Sequence, residues 1–188
     1  AAFDAGIEQY LFGRKASISV VFFYTRLTDI IGFGNEVPDV GDTSRPFGGD
    51  ENQKGGVARG IERSGEVKPT SSTTVCASYT LTNSDQLRPQ VTGSGVYKTL
   101  GVPNHQFTFN ATQRIRKFWV NADFLGTSSY LAPIFSNFNF NSYVYRFDGN
   151  RRLDLTAGFG STIDGGKYNL RLFATVENLF DNEYFENG

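Results

Sequence analysis

The sequence predicts an all-β fold: an antiparallel transmembrane β-barrel segment of about eight strands. Three observations predict it. Apolar and polar residues alternate with period two along most of the chain. Aromatic residues make up 15% and glycine 21 of the 188 residues, a composition that suits strands and turns. Short connections alternate with long ones. Mean hydropathy of -0.33 carries no weight against a membrane location, because a spanning strand alternates apolar and polar residues and averages to neutral.

Eight period-two segments follow one another: 2–11, 15–31, 55–67, 71–83, 105–113, 117–128, 151–162 and 167–180. In 71–83, Val75, Ala77, Tyr79 and Leu81 oppose Thr74, Cys76, Ser78, Thr80 and Thr82. In 105–113, Phe107, Phe109 and Ala111 oppose Gln106, Thr108, Asn110 and Thr112. Leu153, Leu155, Ala157 and Phe159 oppose Arg152, Asp154, Thr156, Gly158 and Gly160 in 151–162. The last segment sets Tyr168, Leu170, Leu172, Ala174 and Val176 against Asn169, Arg171, Thr175 and Glu177. Such alternation marks strands with two unlike faces, and no helical period competes with it.

The short connections contain Phe12-Gly13-Arg14, Lys68-Pro69-Thr70, Arg114-Ile115-Arg116 and Asp164-Gly165-Gly166, all tight-turn chemistry. The long ones span 32–54, 84–104 and 129–150 and are rich in Gly, Asn, Asp, Ser and Pro. Short periplasmic turns and long extracellular loops are the pattern of an outer-membrane barrel. A strand of about 10 residues, rising about 3.3 Å each and tilted about 45°, spans roughly 24 Å and fits the apolar band. A soluble β-sandwich or a lipocalin-like barrel alternates as cleanly. The charged residues Arg152, Asp154, Arg171 and Glu177 on the second face favour a wet lumen over an apolar interior.

With the short turns in the periplasm, segment 2–11 runs inward and 167–180 runs outward. Both ends then lie on the long-loop side. A complete barrel of this class ends in the periplasm, whereas this chain stops at Tyr184-Phe185-Glu186-Asn187-Gly188 in loop chemistry. The expectation is a contiguous piece of a larger barrel lacking at least one closing strand, rather than a closed barrel of eight.

Net charge of -1 and a pI near 5.9 give no reason to expect nucleic acid. The single cysteine, Cys76, excludes an internal disulfide and forms no zinc site alone. No run of 18 apolar residues marks a membrane helix. The chain opens at Ala1-Ala2-Phe3-Asp4 in strand-like sequence with no signal peptide, which reads as a mature fragment and not as evidence of cytosolic residence.

The segment Val176-Glu177-Asn178-Leu179-Phe180-Asp181-Asn182-Glu183-Tyr184 resembles the penultimate-strand motif of TonB-dependent outer-membrane receptors, in which Asn-Leu-Phe-Asp is followed by Tyr. Ile7-Glu8-Gln9 and Phe23-Tyr24-Thr25-Arg26-Leu27-Thr28-Asp29-Ile30-Ile31 resemble the strand pair of that family. Ala58-Arg59-Gly60-Ile61-Glu62 resembles its Ser-Arg-Gly-x-Glu strand, and Val102-Pro103-Asn104-His105 the start of the next hairpin. The motifs fall in the family's order and cover nearly the whole chain. The resemblance implies residues 1–188 to be the C-terminal portion of a barrel of about 22 strands with a plugged lumen. It implies active import of a ferric siderophore, haem or cobalamin across the outer membrane of a Gram-negative bacterium. Implied partners are outer-membrane lipid, an iron chelate or similar small ligand, and the TonB–ExbB–ExbD system acting through a plug that this sequence lacks.

Individual residues have plain structural readings beside functional ones. Asn178 and Asp181 suit a strand end that turns the chain, with Leu179 and Phe180 between them and Phe180, Tyr184 and Phe185 in an aromatic girdle. Arg59, Gly60 and Glu62 suit packing near the lumen, with the direction of Arg59 left open by its shared parity with Ile61. His105 reads as a rim residue rather than a metal ligand, Cys76 as a lumen residue, and Trp119 as interfacial or packed in the wall. Asp39, Asp42, Arg45, Asp50 and Glu51 in loop 36–54 lack the spacing of an EF-hand calcium loop. Loop 129–150 carries Tyr130, Phe135, Phe138, Phe140, Tyr143, Tyr145 and Phe147. The first six are candidate ligand contacts on the extracellular side; packing on other loops is the alternative. No catalytic, cofactor or metal site is expected: His105 is the lone histidine, Ser94 an ordinary serine near it in sequence, and no GxSxG, phosphate loop or zinc ligand set occurs. A passive porin or small structural barrel is the rival reading.

Overall fold

The computed structural model describes residues 1–34, 49–91 and 93–183. Its strands are β1 (Ala2–Leu11), β2 (Ala16–Arg26), β3 (Asp29–Gly34), β4 (Gly49–Lys54), β5 (Gly56–Thr70) and β6 (Thr73–Gln86). They continue with β7 (His105–Ile115), β8 (Phe118–Thr127), β9 (Tyr130–Ser136), β10 (Asn141–Phe147), β11 (Arg151–Ile163) and β12 (Tyr168–Val176). Eight of them form one antiparallel sheet in the order β1-β2-β5-β6-β7-β8-β11-β12. These eight correspond to the eight period-two segments. Each of β1 and β12 has one neighbour, so the sheet is open at both edges.

Register explains why the alternation was so regular. One row across the sheet joins Ile7, Val20, Arg63, Tyr79 and Phe107; another joins Gln9, Ile18, Gly65, Ala77, Phe109, Phe124 and Leu153. All of these side chains lie on one face, with Ile61, Val120, Phe159 and Leu172. The face is apolar, and it is bare: Ile7 is 76% exposed, Ile18 51% and Phe118 61%. The opposite face carries Ser, Thr, Asn and charged residues. The sheet curls around that polar face, since Glu8 of β1 and Arg152 and Asp154 of β11 line one cavity. No second sheet packs on the apolar face among the described residues, which is what a soluble sandwich requires.

The turns at one rim are short. Phe12, Gly13 and Arg14 take left-handed φ of 51, 64 and 67° to reverse β1 into β2. Between β5 and β6 the turn is Ser71-Ser72, not Lys68-Pro69-Thr70 as the sequence suggested. Pro69 has no N–H for the ladder, and the register shifts between Val67 and Thr70 instead of breaking there. The chain recovers the pairing at Thr70 opposite Thr73, whose hydroxyls lie 2.7 Å apart.

At the other rim, two of the three long connections contain paired strands among their described residues. β3 and β4 pair with each other, and so do β9 and β10. Both hairpins prolong a ladder of the main sheet in unbroken register. Gly126 faces Arg151, Thr127 N–H donates to the Asn150 carbonyl at 2.9 Å, and Tyr130 faces Phe147. Likewise Leu27 and Gly56 exchange both backbone bonds, at 2.9 and 3.1 Å, before Asp29 faces Lys54. Strand pairs β2–β5 and β8–β11 therefore extend beyond the wall as ribbons. No described helix is long and apolar enough to cross a membrane.

Candidate functional site

Three places at or near the long-connection rim and on the polar face hold the residues singled out by sequence.

The first is the end of β12. Asn178 takes φ 51° and Asp181 φ 50°, and Asp181 N–H donates to the Asn178 carbonyl at 2.8 Å. The Asn178 side chain bonds Asn182 twice, donating from Nδ2 to its carbonyl at 3.1 Å and accepting its N–H on Oδ1 at 3.2 Å. Asn and Asp tolerate this left-handed backbone better than other side chains. Leu179 N–H then donates to the Leu153 carbonyl at 2.7 Å, which folds the segment back on β11. Asp154 anchors the arrangement. It accepts Asn178 N–H at 2.8 Å and both contacts of Arg152 Nε, at 2.9 and 3.0 Å, while Arg152 Nη2 reaches Glu177 at 3.3 Å. Phe180 meets Phe124 edge-on, with ring centroids 6.4 Å apart, on the apolar face. Tyr184 and Phe185 lie outside the described residues. An Asp154→Asn substitution is expected to leave the fold intact but to speed amide exchange at Asn178 and Leu179 about tenfold, because a charge-assisted bond contributes about 1.5–3 kcal/mol. Hydrogen exchange with mass-spectrometric readout on the membrane-embedded parent chain measures it.

The second is strand β5. Arg59 shares the apolar face with Ile61 and stands opposite Tyr24 and Asn83. Gly60 and Glu62 lie on the polar face. A Cβ at Gly60 would sit 2.0 Å from the Leu81 carbonyl oxygen and 2.6 Å from Phe23 Cζ, so the Phe23 ring crosses the strand where Gly60 has no side chain.

The third is the β9–β10 ribbon, expected as loop 129–150. The pairing splits the six candidate aromatics between two faces. Tyr130, Tyr143 and Tyr145 share one face with Phe147. Tyr130 stacks on Phe147 at 5.7 Å and 20°, and Tyr145 meets Phe147 edge-on at 5.0 Å. Phe135 contacts Phe140 at 6.2 Å near the tip, and Phe138 is 96% exposed at the tip itself. Residues 93–104 pack against the ribbon: Gly101 N–H donates to the Leu131 carbonyl at 2.7 Å, and Val91 and Ala132 are the buried apolar residues among those described. Two clefts lie between them. One is mixed, with Val91, Leu131, Phe135, Phe140 and Val144 beside Gln90, Ser94, Asn141 and Ser142. The other is lined by Lys98, His105, Tyr130 and Arg146, with Val102 and Leu131 among them. His105 Nδ1 is 2.7 Å from the Tyr79 hydroxyl. Leu131, Val144 and Arg146 were not singled out by sequence; the alternation of Tyr143, Tyr145 and Phe147 was the available signal.

Cys76 lies on the polar face with its thiol 3.7 Å from Glu66. Nearby, Asn110 and Asn121 both donate to Asp123, and Thr112 donates to Asn121 at 2.6 Å. No group of three metal-ligating side chains converges among the described residues. Of the loop 36–54 carboxylates, Asp39 and Asp42 lie outside the described residues with Arg45, and Asp50 is exposed.

An open, curled antiparallel sheet, bare and apolar outside, polar inside, with short turns at one rim and long ribbons at the other, is a segment of a β-barrel wall. Residues 2–179 match the sequence model described as TonB dependent receptor-like, beta-barrel, and the chain belongs to that family. Among solved structures it is similar to the ferripyoverdine receptor of the outer membrane of Pseudomonas aeruginosa, bound to ferripyoverdine. That match has a TM-score of 0.72 and 16% identity over 97% of this chain and 23% of the receptor. It is also similar to the FrpB iron transporter from Neisseria meningitidis, with a TM-score of 0.63 and 14% identity over 97% of this chain and 27% of the transporter. The chain thus spans about a quarter of the length of these proteins. No curated protein matches it in sequence.

Proposed function

We propose that the chain is the C-terminal portion of the barrel of a TonB-dependent outer-membrane receptor that takes up a scarce nutrient of the ferric siderophore, haem or cobalamin class. The observation that carries this reading is the bare apolar outer face, combined with a polar inner face and ribbons confined to one rim. Water is a poor solvent for such a face and lipid a good one. An iron chelate is the favoured cargo within the class. The structurally similar proteins include a ferripyoverdine receptor and an iron transporter. The ribbon also offers exposed rings beside a cleft whose lining includes Lys98 and Arg146. Ligand is captured at this rim, and the plug then rearranges under force from the TonB–ExbB–ExbD system.

The test uses the full-length parent protein as the sole receptor in an iron-starved Gram-negative host. Radiolabelled ferric siderophores of the catecholate and hydroxamate types, haem and cobalamin are offered in turn. One of them is expected to enter, and entry to stop on addition of a protonophore or on deletion of TonB. Uptake that continues under both treatments marks a passive porin and overturns the reading. Replacing Phe135, Phe138 and Phe140 together by serine is expected to weaken binding of that ligand at least about tenfold, since aromatic contacts dominate such interfaces. Heat-modifiable gel mobility, which reports a folded barrel, is expected to stay unchanged.

A further inference from the structure

Register divides the charges of the wall unequally between its two faces. Asp4, Glu8, Glu62, Glu66, Asp123 and Asp154 all lie on the polar inner face. Arg26, Arg59, Arg63 and Arg151 lie on the outer one. Among the described residues of the wall strands, Asp85 is the only outward carboxylate, and Lys98 pairs with it at 2.8 Å. The outer face is therefore basic as well as apolar.

Two of these arginines are gathered at the long-ribbon rim. Arg59 stands between Tyr24 of β2 and Asn83 of β6. Arg26 faces Val57, the next outward residue along β5, so the two arginines are diagonal neighbours, about 7–8 Å apart at the backbone. Val57 faces Asp85, Asp85 faces Lys98, and the Lys98 amine donates to the Asn83 side chain. Lys98 thereby cancels Asp85, and no ion pair neutralises Arg26 or Arg59 among the described residues. Both arginines are exposed. Phe3 packs beside Tyr24 with ring centroids 6.4 Å apart, and such aromatics mark the level where hydrocarbon gives way to headgroups. Directly below, toward the short turns, Ala5, Phe22, Ile61 and Leu81 form an apolar row across β1, β2, β5 and β6.

We propose that the outward faces of β2, β5 and β6 at this rim bind an anionic lipid of the outer leaflet. Its headgroup phosphates meet Arg26 and Arg59, and its acyl chains run down over Phe22, Ile61 and Leu81. Guanidinium forks match phosphate oxygens and stay charged throughout. The arginines open straight onto the apolar row, so one amphiphilic molecule satisfies both, which a free anion does not. A second copy of the chain fits poorly, because its own outer face would bring arginine to arginine. A zwitterionic lipid fits poorly too, since its amine meets a face whose one carboxylate is already paired.

The inference rests on the barrel reading above, and the two fail separately: a parent chain absent from the outer membrane sinks that reading, and lipid binding decides this one. Full-length protein is purified in mild non-ionic detergent and stripped of lipid. It is then titrated with diphosphoryl lipid A, phosphatidylethanolamine or inorganic phosphate, and adducts are read by native mass spectrometry. One molecule of diphosphoryl lipid A is expected to bind at least about tenfold more tightly than phosphatidylethanolamine, as charge-assisted forks on phosphate require. The double variant Arg26→Gln, Arg59→Gln is expected to lose that molecule, and Arg26→Lys, Arg59→Lys to hold it more weakly. Arg151, an outward arginine on β11, is three strands from β6, and Arg151→Gln is expected to change nothing. Heat-modifiable mobility checks folding in each variant. Equal binding of the two lipids overturns the proposal. So does a lipid A adduct of undiminished affinity in the first double variant, or its displacement by excess inorganic phosphate, which marks a free-anion site. A protein dimer that the same variant abolishes overturns it as well, and assigns the face to a second copy.

Discussion

Gly60→Val is expected to prevent the wall from forming around β5. The added side chain would begin 2.0 Å from the Leu81 carbonyl oxygen, an atom of the neighbouring strand's backbone. Phe23 can swing its ring away, but the Leu81 carbonyl cannot retreat without pulling β6 off β5, where Gly60 faces Thr82 and Ile61 faces Leu81. Overpacking of this kind costs about 1–3 kcal/mol when side chains can adjust and more when backbone must move. The valine variant of the parent receptor is therefore expected to lose at least about 3 kcal/mol and its heat-modifiable mobility. Gly60→Ala should lie between, and removing the Phe23 ring in that background should restore only part of the loss. A valine variant of native stability would mean that β5 and β6 do not pair in this register. The glycine in Arg59-Gly60-Ile61-Glu62 is thus accounted for by close approach of a ring and a carbonyl.

The eight wall strands were legible because two solvents act on them. A strand that meets an apolar phase on one side and water on the other must alternate, and register copies the alternation from strand to strand. Val75, Ala77 and Tyr79 face the same way as Phe107, Phe109 and Ala111 for that reason. The ribbons beyond the rim have no such constraint, because no single apolar phase covers one side of them: Ala132 is buried, while Phe138 at the tip is exposed. In β9, Ala132 and Pro133 interrupt the pattern, and the tip from Asn137 to Phe140 is polar and aromatic by turns. Gly, Asn and Ser at the ends of 129–150 read as a loop, whereas the backbone continues the β8–β11 ladder.

Chemistry at the sites was legible in part. Asn178 and Asp181 are residues whose own side chains and left-handed tolerance define a turn, so their positions in the chain were enough. Their anchor, Asp154, comes from a strand 24 residues earlier, and only the β11–β12 register brings it there. The same holds for Arg26, Arg59 and Lys98, which come from β2, β5 and the connection after β6 and form one cluster. Charge counts hid this cluster, because a net charge of -1 averages a basic outer face with acids on the inner one.

The opposite face of β5 gives a prediction of opposite sign. Arg63 is the central residue of a strand of 15, exposed on the apolar face between Val20 and Tyr79. No ion pair neutralises it among the described residues. In a lipid-facing wall a guanidinium at the midplane costs about 2–4 kcal/mol, falling toward zero near the interfaces. The long side chain can snorkel and recover some of this, and the tyrosine beside it offers a ring to lie against. Arg63→Leu is accordingly expected to raise the unfolding free energy of the membrane-embedded parent chain by about 2 kcal/mol or more, read from reversible denaturant unfolding in lipid vesicles. Arg63→Lys should change it little. Arg59 is two rows closer to the long-ribbon rim, beside Tyr24 and Asn83, so Arg59→Leu should gain much less. The contrast between the two arginines measures depth directly. If Arg63→Leu instead destabilises, the face at that row is not bathed in hydrocarbon, and the arginine there holds a partner in the membrane.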